Sequence, residues 1–270
     1  MNSRRGRSIT RQNLVKLLDL MKTRALQTGI FKGKRISAHD LRALFTGKDG
    51  NVKFHPIDEY PSLYSDQAPN VVITYRWDMC LYSEMPLFFD ELEKWCPCTK
   101  DTTFWLDILF VDQNSRDLDG ELDKISEIIR FSEFHAVFMK YRALFSGWCS
   151  FEVAVRTKRI MDAARLTPDD IAREVISLDD HAFSKLIMVP SVPDMYEDLF
   201  DRSRDLFDTM ATSEKLDRVK LQDRITALFG SKERFNQTMQ AYKRAAVERY
   251  KRTHPIDAVI HHAAFGDMWE

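Results

Sequence analysis

Three short apolar runs set the frame of this chain. Val71-Val72-Ile73-Thr74-Tyr75 is β-branched and bounded by polar residues, so it predicts a buried strand. Phe104–Val111 predicts a second strand, ending in Asp112-Gln113, and His135–Lys140 predicts a third. Between them, residues 84–95 bring Leu87, Phe88, Leu92 and Trp95 round on a helical pattern, and Glu121–Phe131 form a second helix. A further helix opens near Ser146 and runs on through Val153, Val155, Ile160 and Met161. Strand alternating with helix three times predicts an α/β fold, a parallel sheet with helices on both faces. Val71–Tyr75 is the expected central strand. Glu174–Leu178 and Leu186–Pro190 are weaker strand candidates.

The flanks have a different pattern. Residues 1–10 are polar and rich in arginine, and are expected to be disordered. From Thr10 the chain turns helical, with Leu14, Leu17, Leu18 and Met21 on one face. A short helix follows at Ala38–Phe45, with Ser37 as its N-cap. Residues 46–70, carrying Gly47, Gly50, Pro56, Pro61 and Pro69, suggest a linker or irregular covering segment. Beyond Pro193 the pattern is helical over 195–210, 213–229 and 231–251, with Gly230 as a stop. Three regions are therefore expected. They are a basic helical extension with its linker over 1–69, the α/β domain over 70–192, and a helical extension over 193–270. The extensions carry no catalytic constellation of their own, so they are expected to control assembly or access.

Composition narrows the picture slightly. The chain has 270 residues and a formal net charge of −1, so no global field draws it to nucleic acid or membrane, and neither partner is expected. The charge is uneven, however. Residues 1–48 are crowded with arginine and lysine against only Asp19 and Asp40. That arm either meets an anionic partner or is a solvated helical extension. The four cysteines do not make a disulfide scaffold, and Cys96-Pro97-Cys98 lacks a second pair at zinc-ligand spacing. No metal site is expected, no apolar run is long enough to span a bilayer, and no signal peptide is visible. A soluble, cytoplasmic protein is the expectation.

The candidate chemistry lies where strands end. In a parallel sheet the carboxyl ends of the strands form the functional rim. There the pattern puts Tyr75-Arg76-Trp77-Asp78, then Asp112-Gln113, then Tyr141-Arg142 leading to Ser146, Trp148 and Glu152. Arg76 can grip a phosphate, or simply pair with Asp78 or Asp112. Trp77 or Trp148 can stack on a base or pyridinium ring. Trp148 and Glu152, four residues apart, share a helix face. A single carboxylate there could stabilise a ribosyl cation as a cationic aromatic base leaves neutral, a reaction that needs no general acid. The plain alternative is Trp148 as a core anchor and Glu152 as a solvated helix residue. Asp107, inside an apolar run, suggests a structural carboxylate, and Asp112 a turn or helix cap as readily as a substrate contact.

These residues resemble a known family. A strand ending Thr74-Tyr75-Arg76, an Asp-bearing strand followed by a polar loop, and Ser146-x-Trp148-Cys149-x-x-Glu152 are similar to Toll/interleukin receptor (TIR) domains, above all the NAD-cleaving plant and bacterial members. The likeness spans roughly residues 70–192. It implies a flavodoxin-like TIR-type sheet, Glu152 as the catalytic carboxylate, Ser146 and Trp148 in the pocket, and Arg76 beside them; from their place on the rim, Trp77 and Asp112 are further candidate substrate contacts. It implies an NAD+ glycohydrolase releasing nicotinamide and ADP-ribose or a cyclic ADP-ribose, in signalling or defence. NAD+ would be substrate, with no cofactor, and the domain would self-associate. The loop Asn114–Gly120 lacks the Arg-Gly signature of the family's assembly loop. Separately, Phe104–Gln113 is similar to a motif of fungal heterokaryon-incompatibility domains. Two other functions stay open: a non-catalytic TIR-like interaction module, and a nucleoside ribosyl- or deoxyribosyltransferase.

Overall fold

The computed structural model describes residues 7–27, 35–45, 55–111, 115, 117–140, 142–167, 185–190, 205–212 and 215–241. These fall into two compact units, one of residues 1–141 with 185–189, the other of 142–184 with 190–270. Each is taken by itself.

The first unit is built on a six-stranded sheet. Its strands are β1 (Ser8–Thr10), β2 (Tyr64–Ser65), β3 (Val71–Thr74), β4 (Thr103–Leu106), β5 (Phe134–Met139) and β6 (Leu186–Pro190). They lie in the order β2-β1-β4-β3-β5-β6. β3 is parallel to β4, with Val71 opposite Phe104, and parallel to β5, with Val72 opposite His135. All four residues of β3 are buried, as a strand covered on both faces must be. The core order β4-β3-β5-β6 is the flavodoxin-like one, the first strand of the series lying between the second and third. The expected central strand and its two neighbours are therefore present.

Helices complete the layers. In chain order they are α1 (Arg11–Gln27), α2 (Ala38–Phe45), α3 (Pro56–Glu59), α4 (Glu84–Leu92), the single turn α5 (Asp107–Phe110) and α6 (Leu118–Phe131). Strand periodicity sends Phe104 and Phe138 to one sheet face. There α4 meets them, Phe89 against Phe104 at 4.8 Å between ring centroids and Phe88 against Phe138 at 5.2 Å. The crossovers β3-α4-β4 and β4-α6-β5 run in opposite directions, so a right-handed path puts α6 on the other face. α6 turns Leu122, Ile125 and Ile129 inward. Ser37 caps α2 as expected: its Oγ accepts from the Asp40 N–H, and Asp40 Oδ2 accepts from the Ser37 N–H at 2.8 Å.

Three expectations need correction. Ser8–Thr10 is ordered, pairing antiparallel with β4 and with β2, so the N-terminal region supplies two strands of the sheet. Residues 55–65 of the expected linker hold α3, a 3-10 turn at Pro61–Leu63 and β2. The run Phe104–Val111 is not one strand: it is extended only to Leu106, and the next four residues wind into α5. The other bounds shift by a few residues, α4 stopping at Leu92 and α6 starting at Leu118.

The second unit is organised on α7 (Gly147–Ala164). Its residues from Cys149 to Thr157 are all buried, so it is covered on every side. The helix Lys215–Phe229 packs along it through Leu221, Ile225 and Phe229. Gly230 ends that helix at φ +82°, as its sequence position suggests. A further helix covers residues 232–241. The expected helical stretches are thus met at Leu206–Thr209, Lys215–Phe229 and 232–241. Glu174–Leu178 and residues 195–204, 213–214 and 242–251 lie outside the described residues.

Candidate functional site

The topological switch point of the first unit falls between β3 and β5, where the chain turns from building one side of the sheet to building the other. Lys140, at the end of β5, donates to Glu84 Oε1 at the start of α4, 2.6 Å away. Glu84 Oε2 also accepts from the Cys80 N–H and from Arg35 Nη2. A carboxylate in the first turn of a helix is favoured by the orphan N–H groups there. The position where such sheets take ligands thus carries a Lys–Glu–Arg network.

Beside it, the residues after β3 turn back toward β4. Arg76 grips Asp78 Oδ2 with Nε at 3.2 Å and Nη2 at 2.8 Å. Of the two roles open to Arg76, pairing with Asp78 is the one this geometry displays. Trp77 is held on three sides. Its Nε1–H donates to Asp107 Oδ2 at 2.7 Å. Its carbonyl accepts from the Ala38 and His39 N–H groups at the start of α2. The His39 ring meets its indole edge-on at 5.4 Å, and the Arg42 guanidinium lies 5.9 Å from the ring. The supposed N-terminal extension therefore forms part of this rim.

Asp107 is the residue that the sequence pattern misplaced. Because β4 stops at Leu106, Asp107 stands at the strand's carboxyl end and not inside it. Its Oδ1 accepts from the Ile108 N–H at 2.7 Å while Oδ2 accepts from Trp77. Desolvation pushes its carboxyl up from the usual 3.8 to about 6, against the opposing bonds from Trp77 and Ile108. The signal in the sequence was one carboxylate within an otherwise apolar run. Asp112 lies outside the described residues.

Ser146, Trp148 and Glu152 belong to the second unit. Ser146 occupies the N-cap position of α7 without a side-chain capping bond. Its strand-like backbone bridges to Ala211: the Gly147 N–H donates to the Ala211 carbonyl at 2.8 Å, and the Ala211 N–H to the Phe145 carbonyl at 2.7 Å. Trp148 is half-buried, in the first turn. Glu152 is 4 % exposed, so the idea of a solvated helix residue is wrong. Burying a carboxylate is costly without a partner. Arg156, four residues on and 1 % exposed, shares its face of the helix.

His135 lies in the first half of β5 and is fully buried, its Nε2 2.7 Å from Thr74 Oγ1 on the neighbouring strand. That is a polar contact inside the sheet. Among the described residues there is no group of acidic, histidine and cysteine side chains able to hold a metal, and no helix long and apolar enough to cross a membrane. No family model, curated protein or solved structure matches this chain.

Proposed function

We propose that the protein is an NAD+ glycohydrolase in which Glu152 stabilises the ribosyl cation formed as nicotinamide leaves, in a signalling or defence role. The observation that carries this is the burial of Glu152 one turn after half-buried Trp148, at the head of α7. A carboxylate withdrawn from water acts on a developing positive charge far more strongly than one in solvent. The adjacent indole offers a flat apolar surface for a ribose or pyridinium ring. Nicotinamide departs from a cationic precursor as a neutral base, so the missing second carboxylate of ordinary glycosidases is not needed. The flavodoxin-like sheet and the Ser146-x-Trp148-x-x-x-Glu152 spacing give further support.

The test is release of free base by the purified chain, incubated separately with NAD+ and with deoxynucleosides. The expected result is nicotinamide from NAD+, reduced about a hundredfold to a thousandfold by Glu152→Gln. Because Glu152 is buried, the variant carries a stability cost too, and circular dichroism must show it folded before its rate is read. Wild-type rates in a folded glutamine variant would refute the assignment. Base release from deoxynucleosides alone would mark a deoxyribosyltransferase. No release from either, in dilute or crowded solution, would leave an interaction module.

A further inference from the structure

Just beyond α4 the chain reads Cys96-Pro97-Cys98. The Cys96 N–H donates to the Leu92 carbonyl at 2.9 Å, tying this segment to the last turn of the helix. The Cys98 N–H donates to the Cys96 carbonyl at 2.7 Å, closing a three-residue turn. Its middle residue is proline, whose fixed φ near −65° suits an inverse γ-turn. The conformation is therefore set by the covalent ring rather than by packing alone. It places the two cysteines side by side at the ends of one turn.

The pair is asymmetric. Cys96 is 4 % exposed, whereas Cys98 is half-buried and reachable from solvent. The neighbouring Cys96 thiol favours the Cys98 thiolate, and the Arg11 charge adds to this, against burial and the charge of Glu93; the balance holds Cys98 below the usual thiol value. The neighbouring Cys98, with burial, pushes the Cys96 thiol up. Arg11 is fixed in place by ion pairs with Asp90, at 2.6 Å, and with Glu93. An outer thiol poised to ionise beside an inner thiol that keeps its proton is the arrangement of an attacking and a resolving cysteine.

We propose that Cys96-Pro97-Cys98 is a two-thiol modification site, at which Cys98 reacts with a peroxide and Cys96 resolves the product to a disulfide within the turn. In the first step the Cys98 thiolate attacks one peroxide oxygen and the O–O bond breaks. The leaving oxygen takes a proton and departs, as water when the oxidant is hydrogen peroxide, and Cys98 becomes a sulfenic acid. In the second, the Cys96 sulfur attacks the Cys98 sulfur, the S–O bond breaks, and the hydroxide released takes the Cys96 proton as a second water. Two electrons pass from the sulfurs to the peroxide. A later dithiol restores both thiols by exchange. This chemistry is independent of the reaction proposed for Glu152.

The experiment treats the reduced full-length chain with a small excess of hydrogen peroxide and maps the cysteine peptides by mass. The expected result is loss of two hydrogens from the peptide holding Cys96 and Cys98, reversed by dithiothreitol, while Cys80 and Cys149, both buried, stay reduced. In Cys96→Ser the reaction should stop at a Cys98 sulfenic acid that dimedone traps. In Cys98→Ser, Cys96 should remain a thiol. If the wild-type peptide stays reduced while Cys80 or Cys149 oxidises, or if Cys98 runs on to higher acids with no bridge, the proposal is overturned. The wild-type map decides this even if a serine variant fails to fold.

Discussion

Asp107→Asn separates two opposing effects on one half-buried carboxylate. Desolvation is the larger, raising the carboxyl from 3.8 to about 6 in the folded chain. The sign follows from linkage. Between these values the folded state holds a proton that the unfolded state has lost, so stability falls as pH rises through this window. The whole move is worth about 3 kcal/mol, and most of it, about 2 kcal/mol, is lost between pH 4.5 and 7. Asparagine does not titrate. It can accept from Trp77 Nε1 or from the Ile108 N–H but not from both, because its amide nitrogen is a donor. That lost bond costs about 1–3 kcal/mol at every pH. Urea unfolding of wild type and variant, followed by tryptophan emission from pH 4.5 to 8, isolates the titration. The stability advantage of wild type over variant should shrink by about 2 kcal/mol up to pH 7 and then level off. A difference that is flat, or that grows with pH, would show that the carboxyl is not held neutral by burial.

The remaining expectations concern packing. Removing residues 1–65 strips β1 and β2 from the sheet and bares the edge of β4, so the truncated chain should aggregate, seen by light scattering, and not merely change its regulation. A well-folded monomeric truncation would refute this. Gly147→Ala would put a Cβ 2.7 Å from Thr212 Cγ2 and 3.2 Å from Leu221 Cδ1. It should cost about 1–3 kcal/mol, read as a lower Tm, and an unchanged Tm would mean the contact relaxes freely.

The parts of this fold legible in the sequence are those where burial on both faces leaves an unbroken apolar run. β3, β5 and β6 are short, apolar and bounded by polar residues, so composition and length suffice to find them. β1 could not be found this way. Three residues after an arginine-rich stretch carry no periodicity, and their partners, Ser65 and Phe104, are remote in sequence. The run from Phe104 misled for a related reason: strand and helical turn are both apolar there, so hydropathy could not mark the break at Leu106. Without that break, the pattern places Asp107 in the interior of a strand. The alternative of a solvated Glu152 rests on the one helix face it shares with Trp148. Its neighbours Phe151, Val153, Ala154 and Val155 are apolar on all sides, which is the pattern of a helix covered all round.

Asp107 and Glu152 are the two candidates for the proposed catalytic role, and their surroundings distinguish them. Asp107 accepts from two neutral donors, an indole and a peptide N–H, and desolvation still outweighs them. Its anion fades as pH falls through about 6. Glu152 shares its helix face with the buried guanidinium of Arg156. If Asp107 faced the ribosyl cation, turnover would drop below about pH 6 along its titration, and Asp107→Asn would remove both the limb and most of the rate. With Glu152 in that role, Asp107→Asn should keep its rate at pH 7 to within a few-fold, and the shape of its pH profile should match wild type. Glu152→Gln should fall about a hundredfold or more at every pH. Profiles of nicotinamide release from pH 5 to 8 for the three folded proteins decide between the two carboxylates, and an acid limb that vanishes only in Asp107→Asn would move the chemistry to the end of β4.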